Sequence, residues 1–375
     1  MLGGIGLVMV YSASSIVAAD RYGDAAYFLK RQLIWVGLGT AAMLLTQRIH
    51  YAALRRFAAP LLLLAVGALA LVLVPGVGRV AGGARRWISL GGPFSFQPAE
   101  AAKLAMAIYL ANFLANRGER LQDFRRGIVP PVLVTGLMFG LILAQPDLGS
   151  ALIIGVVTLV MLFVAGARVV HLAGLILIGI PGVLLAILGE EYRRRRLLAF
   201  LDPWADPQGA GFHIIQSLLA LGSGGLLGVG LGNSRQKFFY LPERHTDFIF
   251  SILGEEMGLI GTGAVVALFA LFAYRGFRVA RRAPDQFGSL LAAGITLMVV
   301  LQAVLNIGVT TGVLPITGVP LPFLSFGGSS LLFTMIASGI LLNISQYARV
   351  PAEDEVARTA PAAPSKRGTA RARAT

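Results

Sequence analysis

Asp247 is the residue of this chain with the plainest chemical promise. It lies in Leu-Pro-Glu-Arg-His-Thr-Asp-Phe-Ile-Phe (241–250), at the lip of a long apolar run that begins at Phe248. A carboxylate at a membrane boundary is costly unless solvated or paired, which makes it a site candidate by default. Arg244 and His245 stand beside it in sequence. An ordinary aspartate, with a pKa of about 3.9, is ionised at neutral pH and is able to take a proton from a hydroxyl. Other charged residues also sit at the ends of apolar runs. Glu100 and Lys103, spaced i, i+3, share one helix face. Asp147 lies in Gln145-Pro-Asp-Leu-Gly, and Arg85 and Arg86 precede Trp87. Arg235 and the cluster Arg193–Arg196 add positive charge, and Ser325-Phe-Gly-Gly-Ser-Ser offers the Ser325 and Ser329 hydroxyls with backbone N–H groups.

Each of these also has a plainer reading. A lysine at a span end usually snorkels to the headgroups. The arginine cluster fits contact with anionic lipid, and a Gly-Gly-Ser-Ser stretch is more often a re-entrant turn than a phosphate cradle. Glu255 and Glu256 lie about 12 Å along the helix from Asp247, at 1.5 Å per residue. They read as structural, with a proton or ion role as the lesser alternative. The glycine-rich segment 222–232 looks like a dinucleotide loop but lacks the strand before it, so it reads as tight loop packing. Gly254 and Gly258 have the spacing of close helix contact.

The elements that must position these residues follow from composition. The chain of 375 residues is 56% hydrophobic and only 13% charged, with mean hydropathy +0.75, against about 25% charged in soluble domains. Ten apolar runs approach the roughly 20 residues of a bilayer-spanning helix: 2–18, 32–46, 58–73, 101–115, 128–144, 150–166, 172–189, 248–274, 289–313 and 329–344. The expectation is an all-α integral membrane protein of about ten transmembrane helices, residues 1–347. A large extracytoplasmic loop, about 190–247, separates the seventh span from the eighth. The Ala-, Pro- and Arg-rich tail, 348–375, is expected to be disordered and cytoplasmic. The apolar opening Met1–Val10 has no basic leader, so it reads as a first span rather than a cleaved signal. The absence of cysteine excludes disulfides, thiolate catalysis and Cys-ligated metals.

The net charge of +14 would fit nucleic acid in a soluble chain, but here the basic residues fall in loops. One set of alternating loops, with the tail, carries 18 Lys and Arg, and the opposite short loops carry 6. The positive-inside rule then places both termini in the cytoplasm. On that topology Asp247, Glu100, Lys103, Asp147, Arg86 and the 314–330 loop all meet the outer face. Polar groups at such depth are tolerated where they line a cavity, so a polar outward cavity is expected.

Several ordered stretches resemble the SEDS family of RodA and FtsW proteins. They are Val8-Met-Val-Tyr-Ser-Ala-Ser, Arg85-Arg-Trp-Ile, Phe94-Ser-Phe-Gln-Pro-Ala-Glu-Ala-Ala-Lys, Gln145-Pro-Asp-Leu-Gly, Phe200-Leu-Asp-Pro-Trp, His245-Thr-Asp-Phe-Ile-Phe and Leu321-Pro-Phe-Leu-Ser-Phe-Gly-Gly-Ser-Ser. Residues 23–32 and 230–242 bring the chain closer to FtsW than to RodA. It departs from the pattern at Ala99, where Ser is common. The resemblance implies a peptidoglycan glycosyltransferase of the bacterial cytoplasmic membrane, acting in cell division or cell shape. Its substrates would be lipid II and a glycan linked through pyrophosphate to a polyprenyl lipid. Asp247 would be the catalytic residue. A class B penicillin-binding protein would supply the transpeptidase, among divisome or elongasome proteins, and no nucleic acid is implied.

With Asp247 as general base, transfer would invert the donor sugar. Lys103 and Arg86 are the first candidates to neutralise the leaving pyrophosphate, with Arg235 and Arg193–Arg196 behind them. Glu100, Asp147, His245, Ser325 and Ser329 complete the expected substrate-binding wall. Pyrophosphate is a hard oxygen donor, so a divalent cation such as magnesium or manganese would suit it, helped by Asp147 or Glu100. Two rival classes stand beside this one: a lipid II flippase, which needs polar groups across the whole bilayer, and a non-enzymatic scaffold for a transpeptidase.

Overall fold

The computed structural model describes residues 1–81, 84–89, 91, 95–237 and 245–348. The expected tail beyond Ala348, and Arg244, lie outside the described residues. Among the described residues twelve α-helices run in the order α1 (Leu2–Tyr22), α2 (Tyr27–Arg48), α3 (Leu54–Leu73), α4 (Pro98–Ala115), α5 (Val129–Leu143), α6 (Leu148–Val164), α7 (Val169–Leu188), α8 (Glu191–Leu201), α9 (Phe212–Gly224), α10 (Ile249–Arg282), α11 (Gln286–Thr310) and α12 (Gly328–Gln346). Each of the ten expected spans falls on one of these helices. Among the described residues eight helical stretches are long and apolar enough to cross a membrane; α6 is shorter at 17 residues, and α4 is not among the eight. The protein is an all-α, multi-pass membrane protein.

Helices α4 and α11 form the centre: α11 packs on α10, α4 and α6, and α4 packs on α3, α6 and α12. The burial of most of α4 explains why it tolerates Glu100 and Lys103, since its surroundings are protein rather than lipid. By contrast α7 is apolar all round and almost wholly exposed, as a lipid-facing helix must be. A small sheet lies between α3 and α4, where the pattern of apolar runs gives no sign of one. Strands β1 (Gly78–Ala81), β2 (Ala84–Ser89) and β3 (Ser95–Phe96) pair antiparallel in that order, and β2 carries Arg86. The 190–247 region is not featureless either, because it folds the helices α8 and α9.

The glycine-rich segment after α9 has a definite task. Helix α10 is interrupted at Gly258, whose φ of 64° is closed to most side chains. A break in a membrane helix strands backbone donors and acceptors, which must find partners. Here Val229 and Gly230 donate to the Glu255 and Glu256 carbonyls at 2.9 and 3.1 Å, and Leu259 and Ile260 donate to the Gly225 and Leu226 carbonyls at 2.9 and 3.2 Å. The segment lies so close that a Cβ on Gly228 would fall 2.1 Å from the Glu256 carbonyl oxygen. The expected loop packing is thus a crosspiece laid over the break.

Candidate functional site

The site is assembled at the end of the bundle where α4, α6 and α10 begin and α11 finishes. Gln97 precedes α4, and Pro98 takes the first helical position, where no N–H is needed. The Gln97 amide N–H donates to Ser329 Oγ at 3.0 Å, and the Ser329 hydroxyl donates to the Ser95 carbonyl at 3.1 Å. Ser329 therefore ties the start of α12 to that of α4. Asp147 caps α6 by accepting from the Ser150 N–H at 3.0 Å, and its other oxygen accepts from Gln97 Nε2 at 3.2 Å.

Lys103 does not snorkel. It is 3% exposed, and its Nζ lies 2.9 Å from Glu100 Oε1 and 2.6 Å from Gln302 Oε1. Gln302 passes the contact on, donating through Nε2 to the Pro320 carbonyl at 3.0 Å. One turn later Asn306 Nδ2 donates to the carbonyls of Asp247 and Val319, at 2.7 and 2.8 Å. These two amides, i and i+4 on one face of a mostly apolar helix, are the sequence signal of this brace, absent from the expected site residues.

The α11–α12 loop dips into the bundle as a re-entrant turn. Phe323 at its tip has φ 66°, its ring lies 6.2 Å from that of Phe272, and Gly6 abuts its carbonyl. Irregular backbone at this depth needs partners for its polar groups. Pro315, Pro320 and Pro322 have no N–H to satisfy. Gln302 and Asn306 take two carbonyls, and Leu321 N–H donates to Ser325 Oγ at 2.8 Å. The Ser325 hydroxyl in turn donates to the Thr246 carbonyl at 2.5 Å, and Phe326 N–H donates to the His245 carbonyl at 2.8 Å. Ser325 thus fastens the loop to the Asp247 segment. His245 packs its ring 4.6 Å from Phe28 and 5.8 Å from Phe326.

Two guanidiniums and the Asp247 carboxylate face the Gly318 position. A Cβ placed on Gly318 would lie 3.7 Å from Asp247 Oδ2, 3.8 Å from Arg86 Nη1 and 3.9 Å from Arg196 Nη1. Gly318 has φ 75°, so a side chain there is disfavoured. Arg86 is braced by donating Nε to the Gln145 carbonyl at 3.0 Å and Nη2 to the Pro146 carbonyl. Arg196 comes from α8 and donates to the Ile316 carbonyl at 3.3 Å. Burial pushes the Arg196 guanidinium below its ordinary value and the nearby Arg86 charge adds to this, while Tyr192, Asp247 and Asp147 oppose it. An arginine remains charged regardless.

Two groups lie elsewhere. Arg235 is exposed, and its backbone N–H donates to Glu255 Oε1 at 2.8 Å, away from the Asp247 cluster. Glu255 also accepts from the Ser234 hydroxyl and from Gln236 N–H. Glu256 accepts from the Ser12 hydroxyl at 2.6 Å and has Lys237 Nζ at 3.7 Å. Both carboxylates are 1% exposed and fully engaged. Among the described residues no three His, Asp or Glu side chains gather, and Glu100 and Asp147 already hold other partners.

The profile of the cell cycle protein family that spans FtsW, RodA and SpoVE matches residues 1–350. The chain is 49% identical over 345 residues to stage V sporulation protein E of Bacillus subtilis, covering 92% of this chain and 94% of that one. It is 48% identical over 340 residues to the probable peptidoglycan glycosyltransferase FtsW of Geobacter metallireducens, covering 91% and 90%. Among solved structures, a chain of a peptidoglycan synthase complex aligns with TM-score 0.73 and 36% identity, covering 91% of this chain and 96% of that one. The rod shape determining protein RodA of Thermus thermophilus aligns with TM-score 0.65 and 33% identity, covering 92% and 96%.

Proposed function

Because the chain belongs to the FtsW/RodA/SpoVE family, we propose that it is a peptidoglycan glycosyltransferase that polymerises lipid II at the outer face of the bacterial cytoplasmic membrane, with Asp247 as general base. The observation that carries the assignment of roles is the Gly318 position, where one carboxylate and two guanidiniums face the same small space. A glycosyl transfer from a lipid pyrophosphate needs both kinds of group, a proton acceptor and a sink for the leaving charge.

In this reading an acceptor sugar hydroxyl attacks the anomeric carbon of the donor from the face opposite the pyrophosphate. The new C–O bond forms, the bond from the anomeric carbon to the phosphate oxygen breaks, and the configuration inverts. The hydroxyl proton passes to Asp247. Arg86 and Arg196 take up the charge that develops on the leaving lipid pyrophosphate, in a site of low dielectric where such contacts count most. Lys103 is a positioning residue, because its charge is balanced by Glu100 and its contact to Gln302 braces the re-entrant loop. The polyprenyl tails stay in the bilayer and the sugars outside it. No step is routed through a metal. The positive-inside rule supports cytoplasmic termini, and the likeness to a chain of a synthase complex supports a class B penicillin-binding protein as transpeptidase partner. Transport gains little from Glu255 and Glu256, since a permeation path needs polar groups with free valence and theirs are occupied.

The test is polymerisation of lipid II by the purified protein with its transpeptidase partner. Asp247→Asn is expected to abolish chain growth while melting normally. If it polymerised at the wild-type rate, the base assignment would fail. Fluorescent lipid II in proteoliposomes separates the rival, because flipping without chain growth would support a transporter.

A further inference from the structure

A groove of about 810 Å³ opens between α1, α10 and α12, at the end of the bundle opposite Asp247. Along α10 it runs from Leu268 to Arg282, roughly 21 Å at 1.5 Å per residue. Its deep half is apolar, walled by Leu271, Phe272 and Leu341 and roofed by Phe323, the tip of the re-entrant loop. Its mouth carries Arg275, Arg278 and Arg282, and among the described residues no acidic side chain lines it. The apolar part below Arg275 runs about 10 Å down to Leu268, so three guanidiniums above it match the layout of one class of molecule, an anionic diacyl lipid with its phosphate at the arginines and the upper part of its chains against the leucines.

We infer that this groove is a binding site for an anionic phospholipid of the leaflet at the arginine-rich end. The inference does not depend on the polymerase reading. Glu353, Asp354 and Glu355 follow groove-lining Ala348 closely in sequence, so a groove that no lipid labels would point to the chain's own C-terminal segment as occupant. A second crevice, about 570 Å³ between α5, α6 and α7, provides the contrast. Among the described residues no charged one lines it, so it should accept acyl chains without regard to headgroup.

The experiment is photolabelling of the full-length protein in detergent micelles, using phosphatidylglycerol or phosphatidylcholine with a photoactivatable acyl chain, read by peptide mass spectrometry. Phosphatidylglycerol is expected to label the Leu268–Arg282 and Ser338–Ala348 peptides in preference to phosphatidylcholine. Both lipids should label the α5–α7 crevice alike, which also reports that each variant is folded. Arg275→Gln, Arg278→Gln and Arg282→Gln should each lower the preference about fivefold. Leu342→Trp, which fills the slot and keeps the arginines, should cut groove labelling by both lipids. Equal groove labelling by the two lipids in the wild-type protein would overturn the inference. So would a bare groove beside a labelled crevice, or displacement of the label by glycerol 3-phosphate, which would mark a site for free phosphate.

Discussion

The two ends of this bundle hold charge in different ways. At the arginine-rich end Asp285 caps α11 and spends both oxygens: Oδ1 accepts from Gly288 N–H at 2.8 Å and from Tyr51 hydroxyl at 3.1 Å, and Oδ2 meets Arg55 at 2.5 Å. Arg55 lies over the Phe287 ring, 4.8 Å from its centre. The group pins the start of α3 to the start of α11. At the other end Asp247 shares the space beside Gly318 with two guanidiniums, and most of the bonds around it run from side chains to loop carbonyls. A matched, partly exposed pair is a fastener. A cation-rich set gathered around a position without a side chain keeps room for an anion to arrive.

This contrast is easiest to break at its extremes. Asp247→Asn should lower polymerisation by about two to four orders of magnitude, with the melting temperature unchanged in a detergent unfolding assay. Lys103→Met should act on stability, because it leaves Glu100 charged and buried, at a cost of about 3–5 kcal/mol. Adding Glu100→Gln should recover much of that loss. If the single variant melted like wild type, the buried pair would not be a brace. Arg196→Ala is expected to slow turnover on the order of a hundredfold, with Arg196→Lys between it and wild type; equal rates for all three would remove Arg196 from the site. Arg55→Ala, at the fastening end, should cost only about 0.2–1 kcal/mol because its pair is more than a third exposed, and it should leave turnover alone.

The smallest effect concerns Asp24, whose carboxyl is held below its ordinary value first by the Lys30 hydrogen bond and then by Ala26 N–H. A lowered folded-state value means that the pair helps above the unfolded pKa and stops helping as pH falls through the folded one. Because both groups face solvent, Lys30→Gln should move the Asp24 titration upward by NMR without a measurable change in melting.

The chemistry of the site was legible in proportion to its contrast with its surroundings. Asp247, Asp147 and the Glu100–Lys103 pair are charges in or beside apolar runs, where a charge is expensive, so hydropathy alone exposes them. Arg196 was hidden by its neighbours. In the run Arg193–Arg196, Arg193 donates to the Ala186 and Leu143 carbonyls at the ends of α7 and α5, Arg195 pairs with Glu191, and Arg196 turns to the site. Only the rotation of α8 distinguishes them. The break in α10 was equally hard to read, because Gly254 and Gly258 have the spacing of close helix contact and the apolar run resumes at Leu259. The β1–β3 sheet leaves no trace in a hydropathy pattern of long spans, since it is made of strands of two to six residues.

The crosspiece over Gly258 also bears on how the chain is made. Synthesis proceeds from the amino end, so the order of residues is an order of arrival. Every described partner of the two buried carboxylates, Ser12, Ser234, Arg235, Gln236 and Lys237, leaves the ribosome before Glu255 and Glu256 do. The four backbone partners of the broken helix, residues 225–230, arrive earlier as well. When α10 enters the bilayer, the groups that neutralise its acids and cover its gap are already present, so the costliest segment of the molecule is never inserted ahead of its partners.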